Sequence, residues 1–216
     1  MKIDATAGMG FGEKDNFRWY FCSMDDAERW NRRYKTERRY SFEYPRKLLT
    51  DRADLLPSHG LTLDIAMGLG GNASFLLEHG LSVVGVDISY VAVRRVKSEY
   101  PAIMAIVADL NHFYIPENTF CVITNFFYLQ RNLWASMING LVADGVLFVE
   151  CLLERMLSIH PEINPEFLLK PGELKQAFDA SCYDGKIKIL QYHEGWQEDN
   201  TSHPRATASM ILQRIG

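Results

Sequence analysis

The stretch that decides the fold is Leu63-Asp64-Ile65-Ala66-Met67-Gly68-Leu69-Gly70-Gly71-Asn72-Ala73. An apolar run ends in a glycine turn, and a segment of helical character follows at once. Glycines between a strand and a helix let the backbone approach a ligand closely, and a helix start offers unpaired N–H groups. Asp87 follows Gly68 by 19 residues, at the end of the next apolar run. A carboxylate in that place can accept both hydroxyls of a ribose. A lone G-x-G says little; one framed by strand and helix, with an acid about 20 residues on, predicts a nucleoside cofactor on a parallel α/β sheet.

Outward from this turn the chain alternates. Strands are expected over 61–66, 82–87, 103–108, 120–126 and 146–152, and helices over 72–79, 91–100 and 133–142. Strands separated by helices of this length give a parallel sheet covered on both faces. After 152 the rhythm breaks. Pro161, Pro165 and Pro171 mark loop, 172–181 reads as a helix, and 186–193 and 206–214 read as an antiparallel strand pair at the sheet edge. The fold class is a Rossmann-like, doubly wound seven-stranded α/β sheet, mostly parallel with an antiparallel C-terminal strand. Residues 1–22 read as a flexible tail, 23–57 as a helical lid segment and 58–216 as the catalytic domain. Gly8-Met9-Gly10-Phe11-Gly12 in the tail has no strand before it, so it is not read as a phosphate loop.

Composition narrows the class. The chain has 216 residues, 47% apolar and 23% charged, enough for a real core and too apolar for disorder. With 23 basic and 27 acidic residues, the net charge of −4 does not suit a chain that coats nucleic acid. The longest uncharged runs, such as Asn118 to Gln130, span 13 residues, short of the roughly 18 a membrane helix needs. The first 15 residues carry no apolar core, so no secretory signal is expected. Cys22, Cys121, Cys151 and Cys182 are widely spaced, and two sit in apolar runs. Buried reduced thiols and a cytoplasmic location follow. Twelve of the 23 basic residues fall within positions 1–54, densest at Arg29, Arg32, Arg33, Lys35, Arg38 and Arg39. They are either a solvated helix face or a basic lid that attracts an anion.

Two cofactor classes compete for the glycine turn. Gly68, Gly70 and Ala73 nearly spell the G-x-G-x-x-G/A of dinucleotide folds. Asp64 lies four residues before Gly68 on the same crevice, and Asp109 ends the third strand. Three carboxylates repel a pyrophosphate and welcome an ammonium group. S-adenosylmethionine carries an amino group and a cationic sulfonium and no phosphate, so it is the expected cofactor, with S-adenosylhomocysteine as product. No His/Cys/carboxylate group has metal-ligand spacing, so no metal is expected.

These motifs resemble those of class I S-adenosylmethionine-dependent methyltransferases, and most of all the tellurite-resistance and thiopurine (thiol) methyltransferase-like group. That group's first motif reads approximately L-D-x-A-C-G-x-G-R-N-A; here Met67 stands for Cys and Gly71 for Arg. Val86-Asp87-Ile88-Ser89 and Ala108-Asp109-Leu110 are similar to its second and third motifs, and Trp30-Asn31-Arg32-Arg33-Tyr34 to its N-terminal W-N-x-R-Y element. The likeness runs over about 25–214, through Tyr128-Leu129-Gln130-Arg131 and the block from Asn164 to Leu174. The resemblance implies that Asp64 holds the cofactor's amino group and that Ala66, Gly68, Gly70 and Asn72 line its methionine end. It implies Asp87 on the ribose with Ile88 and Ser89 beside it, Asp109 and Leu110 at the adenine, and Asn125 beside the methyl group. Trp30 and Tyr34 would cover the cofactor.

Asn125-Phe126-Phe127-Tyr128 stands where amino-methyltransferases carry [N/D]-P-P-[Y/F]. Loss of both prolines argues against a gripped adenine or glutamine nitrogen. Tyr128, Arg131, His193 and Arg205, with His203, are candidate acceptor contacts. The expected acceptor is a small soft nucleophile, a thiol or chalcogen oxyanion, which needs no strong base. A small-molecule N- or O-methyltransferase, or a non-catalytic binder of the cofactor or its product, are the alternatives.

Overall fold

Strands whose side chains are buried on both faces lie in the middle of a sheet covered on both sides. In this computed structural model, which describes residues 26–36, 43–179, 183, 185–197 and 204–216, that rule places β1 (Leu61–Ile65) and β4 (Phe120–Phe126) side by side. They are buried nearly throughout and pair in parallel, Leu63 opposite Ile123. β2 (Ser82–Asp87) flanks β1, and β3 (Met104–Val107) forms the edge beyond it. On the other side β5 (Leu141–Leu152) runs parallel to β4. β7 (Ala206–Arg214) then lies antiparallel between β5 and the outer strand β6 (Ile187–Trp196). The order is β3-β2-β1-β4-β5-β7-β6, so the expected seven-stranded sheet stands, with one reversed strand.

The helices are α1 (Asp26–Thr36), α2 (Lys47–Thr50), α3 (Gly71–Glu78), α4 (Tyr90–Glu99), α5 (Trp134–Gly140) and α6 (Glu173–Ala177). Two apolar layers result. Leu76, Val83, Val93, Val96, Phe148 and Ile211 share one face. Leu63, Ile123, Met137, Leu147, Phe178 and Leu212 share the other. Two boundaries differ most from expectation. β5 starts at Leu141 rather than 146 because its first pairing, Phe120 with Leu141, precedes a register shift, and Asp144 takes a left-handed φ of 63° there. α6 is five residues long, shorter than the expected 172–181, while residues 180–182 lie outside the described residues, as does the expected tail 1–22.

Connections from β1 pass to β2 on one side and to β4 on the other, so a crevice opens at the C-terminal strand ends between them. One packing contact there reconciles a departure from the motif. A Cβ on Gly85 of β2 would stand 2.0 Å from the Met67 sulfur. The long Met67 side chain therefore uses the space that Gly85 leaves, and Met67 is 4% exposed. Gly85→Ala is expected to cost about 1–3 kcal/mol from overpacking. Met67→Ala in the same chain should recover part of that loss, with a coupling of about 0.5–3 kcal/mol in a urea-unfolding double-mutant cycle. Equal costs with and without Met67 would show that the two residues do not share the space.

Candidate functional site

The turn after β1 is sharply bent: Ala66, Gly68 and Gly70 all have left-handed φ, at 52°, 58° and 82°. Its bend is fixed by Asp87 at the end of β2. One Asp87 oxygen accepts from the Gly68 N–H and the other from the Ser89 N–H, each at 2.8 Å. Burial raises the Asp87 pKa, and these two N–H donors pull it back. Ser89 caps α4 by accepting from the Ala92 N–H at 3.2 Å, and its hydroxyl donates to Asn31 Oδ1 at 2.8 Å. Asn31 Oδ1 also takes the Val91 N–H at 3.0 Å. The first helix is thereby docked on the start of α4.

Around this turn lies a cleft. Asp26, Trp30 and Tyr34 of α1 line it together with Ala66, Gly68, Asn72, Asp87, Ile88, Asp109, Leu110 and Tyr128. Nine of the residues expected at the cofactor meet at this surface: Trp30, Tyr34, Ala66, Gly68, Asn72, Asp87, Ile88, Asp109 and Leu110. Trp30 stacks on Tyr34 at 5.6 Å, and the Tyr34 hydroxyl sits 2.9 Å from where a Gly68 Cβ would be. Asp109 Oδ1 accepts from the backbone N–H and the side-chain amide of Asn111, each at 2.9 Å. Gly70 lies behind the turn against Val96, where it starts α3, and Ser89 serves the α4 cap.

Asp64 lies beneath the turn, 1% exposed. One oxygen accepts from the Thr124 hydroxyl at 2.7 Å, and the other has no partner among the described residues. Burial pushes its pKa up to about 7, against the pull of the Thr124 hydrogen bond. A buried, unpartnered carboxylate oxygen beside the glycine turn fits an ammonium donor such as the amino group of S-adenosylmethionine.

The acceptor candidates are divided. Tyr128 lines the cleft and its hydroxyl donates to Gln130; burial raises its pKa to about 12. Asn125 is instead buried under the floor, its amide 3.8 Å from the Met137 sulfur and its Oδ1 without a partner among the described residues. Arg131 is tied to Glu173 at 2.5 and 3.1 Å and to the carbonyls of Glu166 and Leu168, so it braces the 166–173 loop. His193 is exposed on β6 opposite Ser209. Arg205 stands over the Phe127 ring at 5.5 Å. His203 lies outside the described residues. Two lining residues had no sequence signal: Arg46, in an extended segment before α2, and Tyr44 beside it. Neither stands at a motif position, and only the folding of 43–46 across the α3 start brings them in.

Fold and cleft define a nucleoside-cofactor enzyme of α/β type. Residues 62–143 match the family model of a methyltransferase domain, the segment from β1 through α5 that carries Asp64, the glycine turn, Asp87 and Asp109. No curated protein matches the chain in sequence. Among solved structures, a SAM-dependent methyltransferase from Methanosarcina mazei is similar at 15% identity and TM-score 0.62, over 76% of this chain and 97% of that one. One from Mesorhizobium loti matches at 15% identity and TM-score 0.60, over 76% and 96%. TehB from Haemophilus influenzae matches at 17% identity and TM-score 0.62, over 88% and 67%. Residues 62–143 are thus a methyltransferase domain, and the chain shares the fold of S-adenosylmethionine-dependent methyltransferases. Among the described residues no helix is long and apolar enough to cross a membrane, and no His/Cys/carboxylate group could hold a metal.

An ammonium group held by Asp64 would give cofactor binding a pH signature. Ionised Asp64 attracts an ammonium and protonated Asp64 does not, so affinity for S-adenosylhomocysteine should fall about tenfold per pH unit below about 7. Stability runs the other way. A raised folded pKa contributes stability in acid, fully present below the usual value of 3.8 and lost as pH rises through about 7. In Asp64→Asn, calorimetry should show weak, pH-independent binding, and the melting temperature should gain on the wild type from pH 5 to 8. Wild-type affinity that is flat over that range would remove Asp64 from the amino group.

Proposed function

We propose that this methyltransferase acts on a small soft nucleophile, a thiol or a chalcogen oxyanion. The observation that carries the reading is the makeup of the cleft beyond the glycine turn. Phe126, Phe127 and Tyr128 line it there, and Arg46 is the cation beside them. No His, Lys or Cys lines the cleft among the described residues, and the buried Tyr34 and Tyr128 phenols have raised pKa values. An amine or alcohol needs its proton removed, whereas a thiolate or oxyanion arrives ionised. A nearby guanidinium also favours the thiolate over the thiol. Asn125, the residue that would grip an amine, points its amide at Met137.

The cofactor supplies an electrophilic methyl group on a sulfonium. In this reading the chain's own part is alignment and exclusion of water. Asp64 holds the amino group, Asp87 the ribose, Asp109 and Leu110 the adenine, with Ile88 packed against it. Segment 23–57 is the lid: Trp30 and Tyr34 cover the cofactor, and Asn31 latches α1 to α4. Tyr128 and Arg205 face the acceptor.

A turnover screen with the full chain tests this. With S-adenosylmethionine present, S-adenosylhomocysteine should form with small thiols or with selenite or tellurite, and not with small amines or alcohols. Product from amines alone would replace the soft-nucleophile reading with N-methylation.

A further inference from the structure

Four arginines of the described structure have a carboxylate partner within 3.0 Å: Arg29 with Asp26, Arg52 with Asp54, Arg95 with Glu43 and Glu99, and Arg131 with Glu173. Arg46 and Arg205 are different. Their guanidinium carbons lie 4.5 and 5.5 Å from the centre of the same ring, Phe127, and neither has an ion-pair partner within 4.0 Å among the described residues. Each lies in the other's field, and burial together with Arg205 lowers the Arg46 pKa to about 10, so it stays charged at neutral pH.

The ring that gathers them is held in place. Phe127 has a left-handed φ of 59° and its N–H donates to the Glu150 carbonyl at 2.7 Å. A bulky aromatic residue in that conformation is strained, and such strain persists where surrounding contacts over-determine it. Arg46 is anchored too, its own N–H donating to Asn72 Oδ1 at 2.9 Å on α3. Glu150 lies in the field of both arginines but forms no ion pair with either, and one of its oxygens accepts from the Gln197 amide. Two cations gathered on one ring of the cleft wall, with cation–π support and no ion pair among the described residues, are poised for an anion. The fork of a guanidinium matches a carboxylate or similar oxyanion, which accepts two parallel N–H bonds.

We propose that Arg46 and Arg205, gathered on Phe127, bind an oxyanion group of the methyl acceptor, so that the acceptor is a small acid and not a neutral thiol. This rests on the methyl-acceptor reading above and narrows it. The oxyanion is either a carboxylate carried by a thiol or the chalcogen oxyanion itself.

The test uses the full chain saturated with S-adenosylhomocysteine and titrated calorimetrically with 3-mercaptopropionate, its neutral amide, and selenite. The acid or selenite should bind saturably, and the amide about tenfold or more weaker than the acid. Arg205→Gln and Arg46→Gln should each lower acid or selenite affinity about tenfold or more and leave the amide unchanged. Arg46→Lys should restore part of it. Arg205→Gln should keep wild-type affinity for S-adenosylhomocysteine, which controls for folding. Turnover then separates the sources: methylation of mercaptopropionate marks the carboxylate as a handle, and methylation of selenite alone marks the oxyanion as nucleophile. Equal binding of acid and amide without selenite binding, acid preference that survives both Gln variants, or binding of neither anion overturns the proposal. Arginine-dependent anion binding with no product from any thiol or chalcogen oxyanion would sink the soft-nucleophile reading and leave the anion site standing.

Discussion

The two hydrogen bonds of the Asp87 carboxylate are the constraint on which the cleft depends. They join the N–H groups of Gly68 and Ser89, the turns after β1 and β2. Charge-assisted bonds of this kind contribute about 1.5–3 kcal/mol each. Because Ser89 in turn holds Asn31, the same carboxylate reaches α1 through one intermediary. Glycine turn, α4 cap and N-terminal helix thus form one hydrogen-bonded unit. A ribose placed at Asp87 would bind to the residue that shapes the turn beneath it, so cofactor recognition and cleft geometry share one group.

Charge is distributed unevenly along the cleft. Asp26, Asp87 and Asp109 line the part around the glycine turn, with Asp64 buried under the turn. Arg46 and Arg205 mark the part near the β4 end. Burial raises the pKa of Asp64 and Asp87 and, with Arg205, lowers that of Arg46, so the ligand-free site holds unfavourable buried charge of both signs. A cation at the acidic part and an anion at the basic part would each relieve it. S-adenosylmethionine brings the first in its amino and sulfonium groups. The pattern favours an acceptor of opposite sign, which Coulomb attraction would draw toward the sulfonium.

The sheet was legible because its signals are local. Apolar runs of strand length, helical spacing at Val93 and Val96, and the glycine turn with Asp87 after it carry the parallel half without any tertiary information. That nine of the residues expected at the cofactor line one cleft follows from the same regularity, since ligands gather at C-terminal strand ends whatever the loops contain. What escaped is set by long-range contact. Nothing in Tyr44-Pro45-Arg46 announces that the segment crosses the start of α3, 26 residues away at Asn72. Arg131 looked like an acceptor contact because its motif position is conspicuous, and only the fold shows Glu173 reaching back to it. Asn125 ends an apolar strand, and whether its amide points up into the cleft or down to Met137 is a packing outcome.

Gly71 shows how such long-range contact changes the meaning of a motif. Read alone, glycine in place of arginine removes a cation from the cofactor turn. In the structure a Cβ at Gly71 would lie 2.6 Å from the backbone carbon and oxygen of Tyr44. Backbone cannot yield as a flexible side chain can, so any larger residue at 71 would displace the 43–46 segment. That segment brings Arg46 to the cleft, tied by its N–H to Asn72, the next residue after Gly71. The substitution that takes a cation out of the turn is therefore the one that makes room for the segment carrying another. Arg46 arrives beside Phe127 instead of at the glycine turn, and its charge shifts from the turn toward the end of the cleft where the acceptor is proposed to bind.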